Sequence, residues 1–398
     1  MGKDKNENNQ QSDLRVLHIA SWYPSEIHFS LGNFIKRHIQ AIGKRHSGEV
    51  WYAAPTPGNR ILPQPSNQQD GTIIERIRYF RQRKPEVYGM TKCLMKLAKE
   101  TDMSSFDLIH LHVMFPAGVA AQKIAVKWKL PLVITEHWTV YHNAHRGVLP
   151  FWKKMMIRKS SRQAQLICPV TEGLAHALRA FKIDVKMTTI PNVVDTEVFN
   201  VGNEVGSEEN SNDKSKPFQW IHVSSLNEEQ KNIHGLIRAF SNSLQLQQKM
   251  TLSIVGGGAS DAIQALIDEL KLASVIRILG EMQIEEVARE MRESDALILF
   301  SNYENFPCVI PEAWSSGIPV LASDVGGIHE HMNAELGMLV PAGNETELSK
   351  GIISMVGKKS EFKSQSIRNY AIENFNEQQI STAYSQAYQD ALRMMRRH

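Results

Sequence analysis

Cysteine is scarce. The chain of 398 residues has three, Cys93, Cys168 and Cys308, widely separated and without a C-x-x-C pair. That spacing excludes a disulfide framework and a zinc knuckle, and it reads as buried thiols of a reducing compartment. No run of about eighteen apolar residues occurs, so no helix is expected to span a membrane. The opening MGKDKNENNQQSD lacks the apolar stretch of a secretion signal. Met1-Gly2 is a poor myristoylation match, because position 6 is Asn6 rather than serine or threonine. Neither sign of charge dominates: 45 Lys and Arg against 42 Asp and Glu give a formal net charge of +3. Such a balance implies no bulk attraction to polyanions, and nucleic acid is not an expected partner. No D-x-D triplet occurs, so a carboxylate-held divalent metal is not implied. The expected setting is cytoplasmic.

What is present is an alternation of short apolar runs and helical patterns. Hydrophobic content of 42% and charged content of 22% are ordinary for a globular protein, and the length suggests two or three domains. Residues 1–12 read as a disordered tail. Strands are expected at Leu14–Ala20, Val50–Ala54, Thr72–Tyr79, Phe106–His112, Leu132–Thr135, Ala164–Thr171 and Met187–Ile190. Residues 55–70, rich in Pro, Asn and Gln, read as a long surface loop. The polar stretch 202–217 reads as another loop, after which a second round of strands and helices starts at Phe218–Val223. Two rounds of βα alternation argue for two Rossmann-like halves with a cleft between them.

The stretch Asp295–Gly327 carries the densest chemistry. Ala296–Phe300 is an apolar run of buried-strand type, and Asn302–Asn305 is a polar break at its C-terminal end, where open α/β sheets place ligands. Pro311 suits the first turn of a helix, and Gly317 ends it. Glu304 lies on the loop and Glu312 in the first helical turn. A helix start between two carboxylates suits a phosphate flanked by polyol groups, the outline of a nucleotide-sugar. The plainer alternative is a helix-dipole partner at Glu312 and a solvated loop residue at Glu304.

Ser301, the turn Glu304-Asn305-Phe306-Pro307, Glu312-Ala313, Gly317-x-Pro319-Val320 and Gly326-Gly327, in that order, resemble the donor-site signature of the retaining glycosyltransferases of family 4, which have the GT-B fold. Ile190-Pro191-Asn192-Val193-Val194-Asp195 is similar to that family's crossing into its second domain. The resemblance covers nearly the whole chain, weakly in its first half. It implies an α/β GT-B architecture of two Rossmann-like domains facing across a cleft. The acceptor domain would be residues 13–190, the nucleotide-sugar donor domain 191–376, and 377–398 a helix returning to the first domain.

The reaction implied is metal-independent, retaining transfer of a hexose from a UDP- or GDP-linked sugar to a glycan, lipid-linked or small-molecule acceptor, with no cofactor. By the same resemblance, Lys231 neutralises the diphosphate leaving group, Glu304 binds the donor sugar's hydroxyls, and Glu312 binds the ribose. The backbone amides of Asn305 and Phe306 orient the sugar, whereas Pro307 has no amide to offer. Val309, Ile310, Gly257 of the Gly256-Gly257-Gly258 turn, Met282 and Gly32 complete the donor contacts. His137, after the strand Leu132–Thr135, lies beside the transferred sugar, and His112, at the end of an H-x-H strand, contacts the acceptor. His110, two residues deeper on the same face, reads as structural.

Two positions depart from the family pattern. Ser225 stands where the family has an arginine, and serine cannot supply a bidentate cationic fork. Leu31 stands where a glycine usually precedes Gly32. Two rival functions stay open: a non-catalytic nucleotide-sugar-binding subunit, motivated by Ser225, and a GT-B nucleotide-sugar epimerase, which needs acid and base residues that these motifs do not indicate.

Arg146–Arg162 is the basic amphipathic element, with Phe151, Trp152, Met155 and Met156 interleaved among Lys153, Lys154, Arg158 and Lys159. One reading is an ordinary surface helix with tryptophan inward and lysine outward. The other is peripheral contact with the inner membrane face.

Overall fold

The structure, a computed structural model, describes residues 13–58, 61–82, 85–142, 149–202, 216–246, 249–258 and 260–396. The expected tail at 1–12, positions 146–148 of the basic element and most of the 202–217 loop lie outside the described residues. The chain divides into two compact units. Unit 1 is Met1–Thr135, Trp152–Ile167 and Tyr384–His398; unit 2 is Glu136–Phe151 and Cys168–Ala383.

The first sheet contains β1 (Arg15–Ala20), β2 (Ser47–Thr56), β3 (Ser66–Asp70), β4 (Ile73–Arg81), β5 (Leu108–His112), β6 (Leu132–Glu136) and β7 (Leu166–Pro169), in the order β3-β4-β2-β1-β5-β6-β7. β4, β2, β1, β5 and β6 run parallel. Strands such as β5 and β6 are buried at every residue, as parallel strands covered on both faces must be. The second sheet contains β8 (Phe218–Val223), β9 (Met250–Val255), β10 (Ile276–Gly280), β11 (Ala296–Leu299), β12 (Val320–Ser323) and β13 (Gly337–Val340). Its order is β10-β9-β8-β11-β12-β13, all parallel. This is the doubly wound order whose direction reverses between the first and fourth strands, here β8 and β11. Ligands of such sheets bind beyond the carboxyl ends of those two strands.

Three expectations need correction. Residues 66–70 are a strand and not loop: β3 pairs antiparallel with β4, Asp70 facing Ile73 across a tight turn at Gly71, φ +59°. An edge strand needs only backbone partners, so the polar SNQQD carries no apolar signal; the Asp-Gly dipeptide was the available one. Met187–Ile190 is not a strand, only a single bridge residue at 187. Of the three cysteines, only Cys168 is buried; Cys93 and Cys308 are partly exposed.

The helix Phe151–Ser161 reverses the ordinary surface pattern. It buries Ile157, Ser160 and Ser161 and leaves Phe151, Trp152 and Met155 exposed by 74%, 44% and 54%. Tryptophan is therefore not inward. Within unit 1, the end of the helix Glu377–Arg396 is held by buried polar bonds: Ser385 Oγ to His46 Nε2 at 2.7 Å, and Tyr388 OH to His110 Nδ1 at 2.7 Å. His110 is thus structural, as expected.

Each unit also buries a histidine kept neutral. Burial lowers the pKa of His18 to about 3 and that of His222 to about 4, from 6.5. The unfolded chain takes up these protons below pH ~6.5 while the folded chain does not, so stability falls as pH drops. The expected loss is about 1.4 kcal/mol per pH unit per histidine, ending near each folded pKa. Urea midpoints at pH 7.5, 6 and 5 check this; an unchanged midpoint at pH 5 would show that the folded state already accepts these protons.

Candidate active site

β8 delivers His222 and then the turn Ser224–Leu226 to the switch point. His222 donates from Nδ1 to the Ile298 carbonyl on β11 at 2.9 Å, and Ser224 Oγ lies 2.8 Å from His222 Nε2. The two strands and the turn are thereby tied together by one neutral ring. Asn227 then caps a single helical turn, Glu228–Lys231, its side chain accepting from the Gln230 amide at 3.0 Å. Asn232, with φ +49°, closes that turn and caps the next helix, Ile233–Leu244. This break sets the direction of Lys231.

Lys231 Nζ donates to Glu304 Oε1 on the loop after β11, and Gln230 Nε2 donates to Glu304 Oε2 at 3.2 Å. The two charged side chains are 12% and 7% exposed. The loops are also joined through backbone: the Asn302 amide donates to the Gln230 carbonyl at 2.7 Å, and Asn302 Nδ2 to the Glu229 carbonyl at 2.9 Å. Lys231 and Glu304 thus form a nearly dry ion pair.

Asn305 follows, and its side chain is as informative as its backbone. Nδ2 donates to the His137 carbonyl, and Oδ1 accepts from His142 Nε2. The segment 137–141 is itself shaped by Glu136, a buried carboxylate that accepts from the amides of His137 and Trp138, both at 2.9 Å, and from Tyr141 OH at 3.2 Å. Burial and Glu136 together push the Tyr141 hydroxyl well above its ordinary pKa, so it stays a donor. His137 is therefore brought to the Glu304 loop by way of Asn305.

Phe306, Val309 and Ile310 belong to the apolar core of unit 2, where the Phe306 ring stands 4.8 Å from that of His331 and 5.4 Å from that of Phe375. Any donor contact at these three positions is left to the backbone. Glu312 lies in the first turn of the helix Val309–Ser315 and is buried. Glycines let loops approach closely here. A Cβ on Gly256 would stand 1.8 Å from the Ser224 carbonyl, and one on Gly326 2.0 Å from the Glu304 carbonyl. Gly257 faces Glu281, the residue before Met282, which is half-buried. Ser225 is exposed.

In unit 1, Gly32 has φ +75° and precedes the helix Asn33–Gly43; a Cβ there would lie 2.6 Å from the Trp22 carbonyl, so the fold itself demands glycine. His112 is fully buried, its Nε2 3.1 Å from His18 Nδ1. Among the described residues, His18, His110 and His112 offer ring nitrogens within 4.8 Å of one another. His110 nevertheless has one nitrogen on Tyr388 and the other on Thr135 Oγ1 at 2.7 Å, so protein hydroxyls occupy it.

Gln230, Glu136, His142 and the Asn305 side chain did not emerge from the motifs. Gln230 and Glu136 each adjoin a residue that did, and adjacency was their only sequence signal. His142 had none.

The chain's similarities agree with this geometry. Residues 207–374 match the family model described as glycosyl transferases group 1, and residues 31–198 match that described as glycosyltransferase family 4. Glycogen synthase of Mycobacterium tuberculosis is 24% identical over 96% of this chain and 95% of its own. Among solved structures, sucrose-phosphate synthase of Thermosynechococcus elongatus superposes with a TM-score of 0.77 at 17% identity, covering 94% of this chain and 98% of its own. Anabaena HepE, solved in complex with UDP and glucose, gives 0.72 at 17% identity over 94% and 99%. With two parallel-sheet units and both halves matched, this chain belongs to the family 4, group 1 glycosyltransferases of the GT-B fold.

Proposed function

We propose that the chain moves a sugar, with retention of configuration and without a divalent metal, from a UDP- or GDP-linked donor to a glycan, lipid-linked or small-molecule acceptor. The observation that carries this reading is the Lys231–Glu304 pair beyond the carboxyl ends of β8 and β11. A donor separates the pair: the diphosphate takes the lysine, and the sugar hydroxyls take the glutamate. Charge developing on the departing diphosphate then meets a fixed ammonium in a site with little water, where electrostatic stabilisation is strongest. Glu312 holds the ribose, the amides of Asn305 and Phe306 and the helix start at Val309 and Ile310 orient sugar and diphosphate, and Gly257 and Met282 line the nucleotide pocket. His137 contacts the sugar or acceptor. The UDP held by HepE supports the UDP-linked form of the donor.

Melting of the protein against a panel of nucleoside diphosphates and NDP-sugars tests the reading. A ligand at about a hundred times its Kd stabilises by about 2.7 kcal/mol. A selective shift with one base, followed by release of that diphosphate in the presence of acceptor, is the expected result; no shift with any of them overturns it. Retention is checked by the anomeric configuration of the product, and metal independence by unchanged turnover in chelator.

Because Ser225 is exposed, an arginine has room there. Ser225→Arg is expected to tighten diphosphate binding by about tenfold, the value of one added charge-assisted contact of about 1.4 kcal/mol, with melting of the free protein unchanged. Weaker binding in titration calorimetry would place the diphosphate elsewhere.

A further inference from the structure

We propose that the outward face of the helix Phe151–Ser161 docks on an anionic phospholipid bilayer. Its burial is inside out. A helix on a globular protein turns its apolar residues to the core, yet this one turns Ile157, Ser160 and Ser161 inward and leaves Phe151, Trp152 and Met155 in solvent. Those three, with Lys159, recur at spacings of three and four and so share one face. The serine side has a packing reason. A Cβ on Gly118 would lie 2.9 Å from Ser160 Oγ, so the helix meets the start of the helix Gly118–Trp128 through small residues.

The charge of the sequence around this helix is one-signed. Between Asp107 and Glu172 the sequence holds nine lysines and arginines and a single acidic residue, Glu136. Glu136 is buried, so that stretch brings no carboxylate to the surface. In a chain whose net charge is only +3, this is a local concentration. Lys153 lies over the rings of Phe115 and Trp152, 4.9 and 5.6 Å from their centroids, which places an ammonium beside aromatic surface. The carboxylate of Glu86 acts on Lys153 from the neighbouring helix Glu86–Glu100 and is half-buried.

Cations beside exposed Phe, Trp and Met match the boundary between lipid headgroups and acyl chains. A soluble polyanion would satisfy the lysines but leave the apolar residues without a role, and that decides between the two. The surface does not depend on the identity of donor or acceptor.

Co-sedimentation of the full chain with vesicles tests it. With equal parts phosphatidylglycerol and phosphatidylcholine, binding is expected at low salt, at least tenfold weaker with phosphatidylcholine alone or in 0.5 M salt. The triple variant Phe151→Ser, Trp152→Ser, Met155→Ser is expected to lose at least tenfold in binding to the anionic vesicles, with its melting temperature unchanged because the three side chains are exposed. Lys159→Glu gives a second variant with the same expected direction. No binding to anionic vesicles overturns the proposal. So does equal binding by the triple variant, and retention by that variant of both vesicle and heparin binding would assign the face to polyanions instead.

Discussion

Replacing Glu304 with glutamine is expected to cut turnover by about a thousandfold and to destabilise unit 2 by about 3 kcal/mol. Both effects follow from one contact. Glu304 takes the Lys231 ammonium on one oxygen and the Gln230 amide on the other, and the two charged side chains are nearly out of solvent. Removing the carboxylate leaves a lysine charge with little water and no counter-charge. Breaking a buried pair costs about 3–5 kcal/mol, and the residual exposure of Lys231 argues for the lower end. Glu304→Gln combined with Lys231→Met removes both charges, and most of the stability should return. Activity should not, because the donor then finds neither carboxylate nor ammonium. Steady-state rates and urea denaturation of wild type and the two variants separate the two roles. A double variant with near-normal turnover would show that the pair is only a structural clasp.

Gly326→Ala should be nearly as damaging, by a different route. Gly326 has φ +60°, and its Cβ would stand 2.0 Å from the Glu304 carbonyl oxygen and 2.8 Å from that of Asn305. The Gly327 amide donates to the Asn305 carbonyl at 2.7 Å, so the two loops have little freedom to part. Left-handed strain costs about 1–2 kcal/mol and overpacking about 1–3 more. Displacing Glu304 by about an ångström should lower turnover by about a hundredfold. Gly343→Ala is the control: its φ is +71°, but a Cβ there meets nothing within 4 Å. It should cost about 1 kcal/mol and leave turnover unchanged. If the two alanine variants behave alike, the close approach of Gly326 to the Glu304 loop is not what matters.

How much of this protein the sequence determined by itself depends on how local each feature is. Buried parallel strands are short apolar runs, so most of both sheets, a helix with Pro311 in its first turn and the positions of Lys231, Glu304 and Glu312 were readable along the chain. The sequence marked Gly32 only as a donor contact; the demand for glycine there comes from the Trp22 carbonyl, which the chain order does not reveal. Features made by pairing were not readable. β3 has no apolar pattern because an edge strand needs only the backbone of β4. The pairing of Lys231 with Glu304 joins residues 73 apart, and that of His142 with Asn305 residues 163 apart. Nothing in the spacing reveals such partners, because the order of strands decides which loops meet. Burial direction was likewise undecided: the same eleven residues from Phe151 to Ser161 permit tryptophan inward or outward. Tertiary structure chose outward, since Gly118 admits Ser160 closely and leaves the aromatic side to solvent. Periodicity is a property of one segment, whereas charge pairing, close approach and the facing of a helix are properties of two.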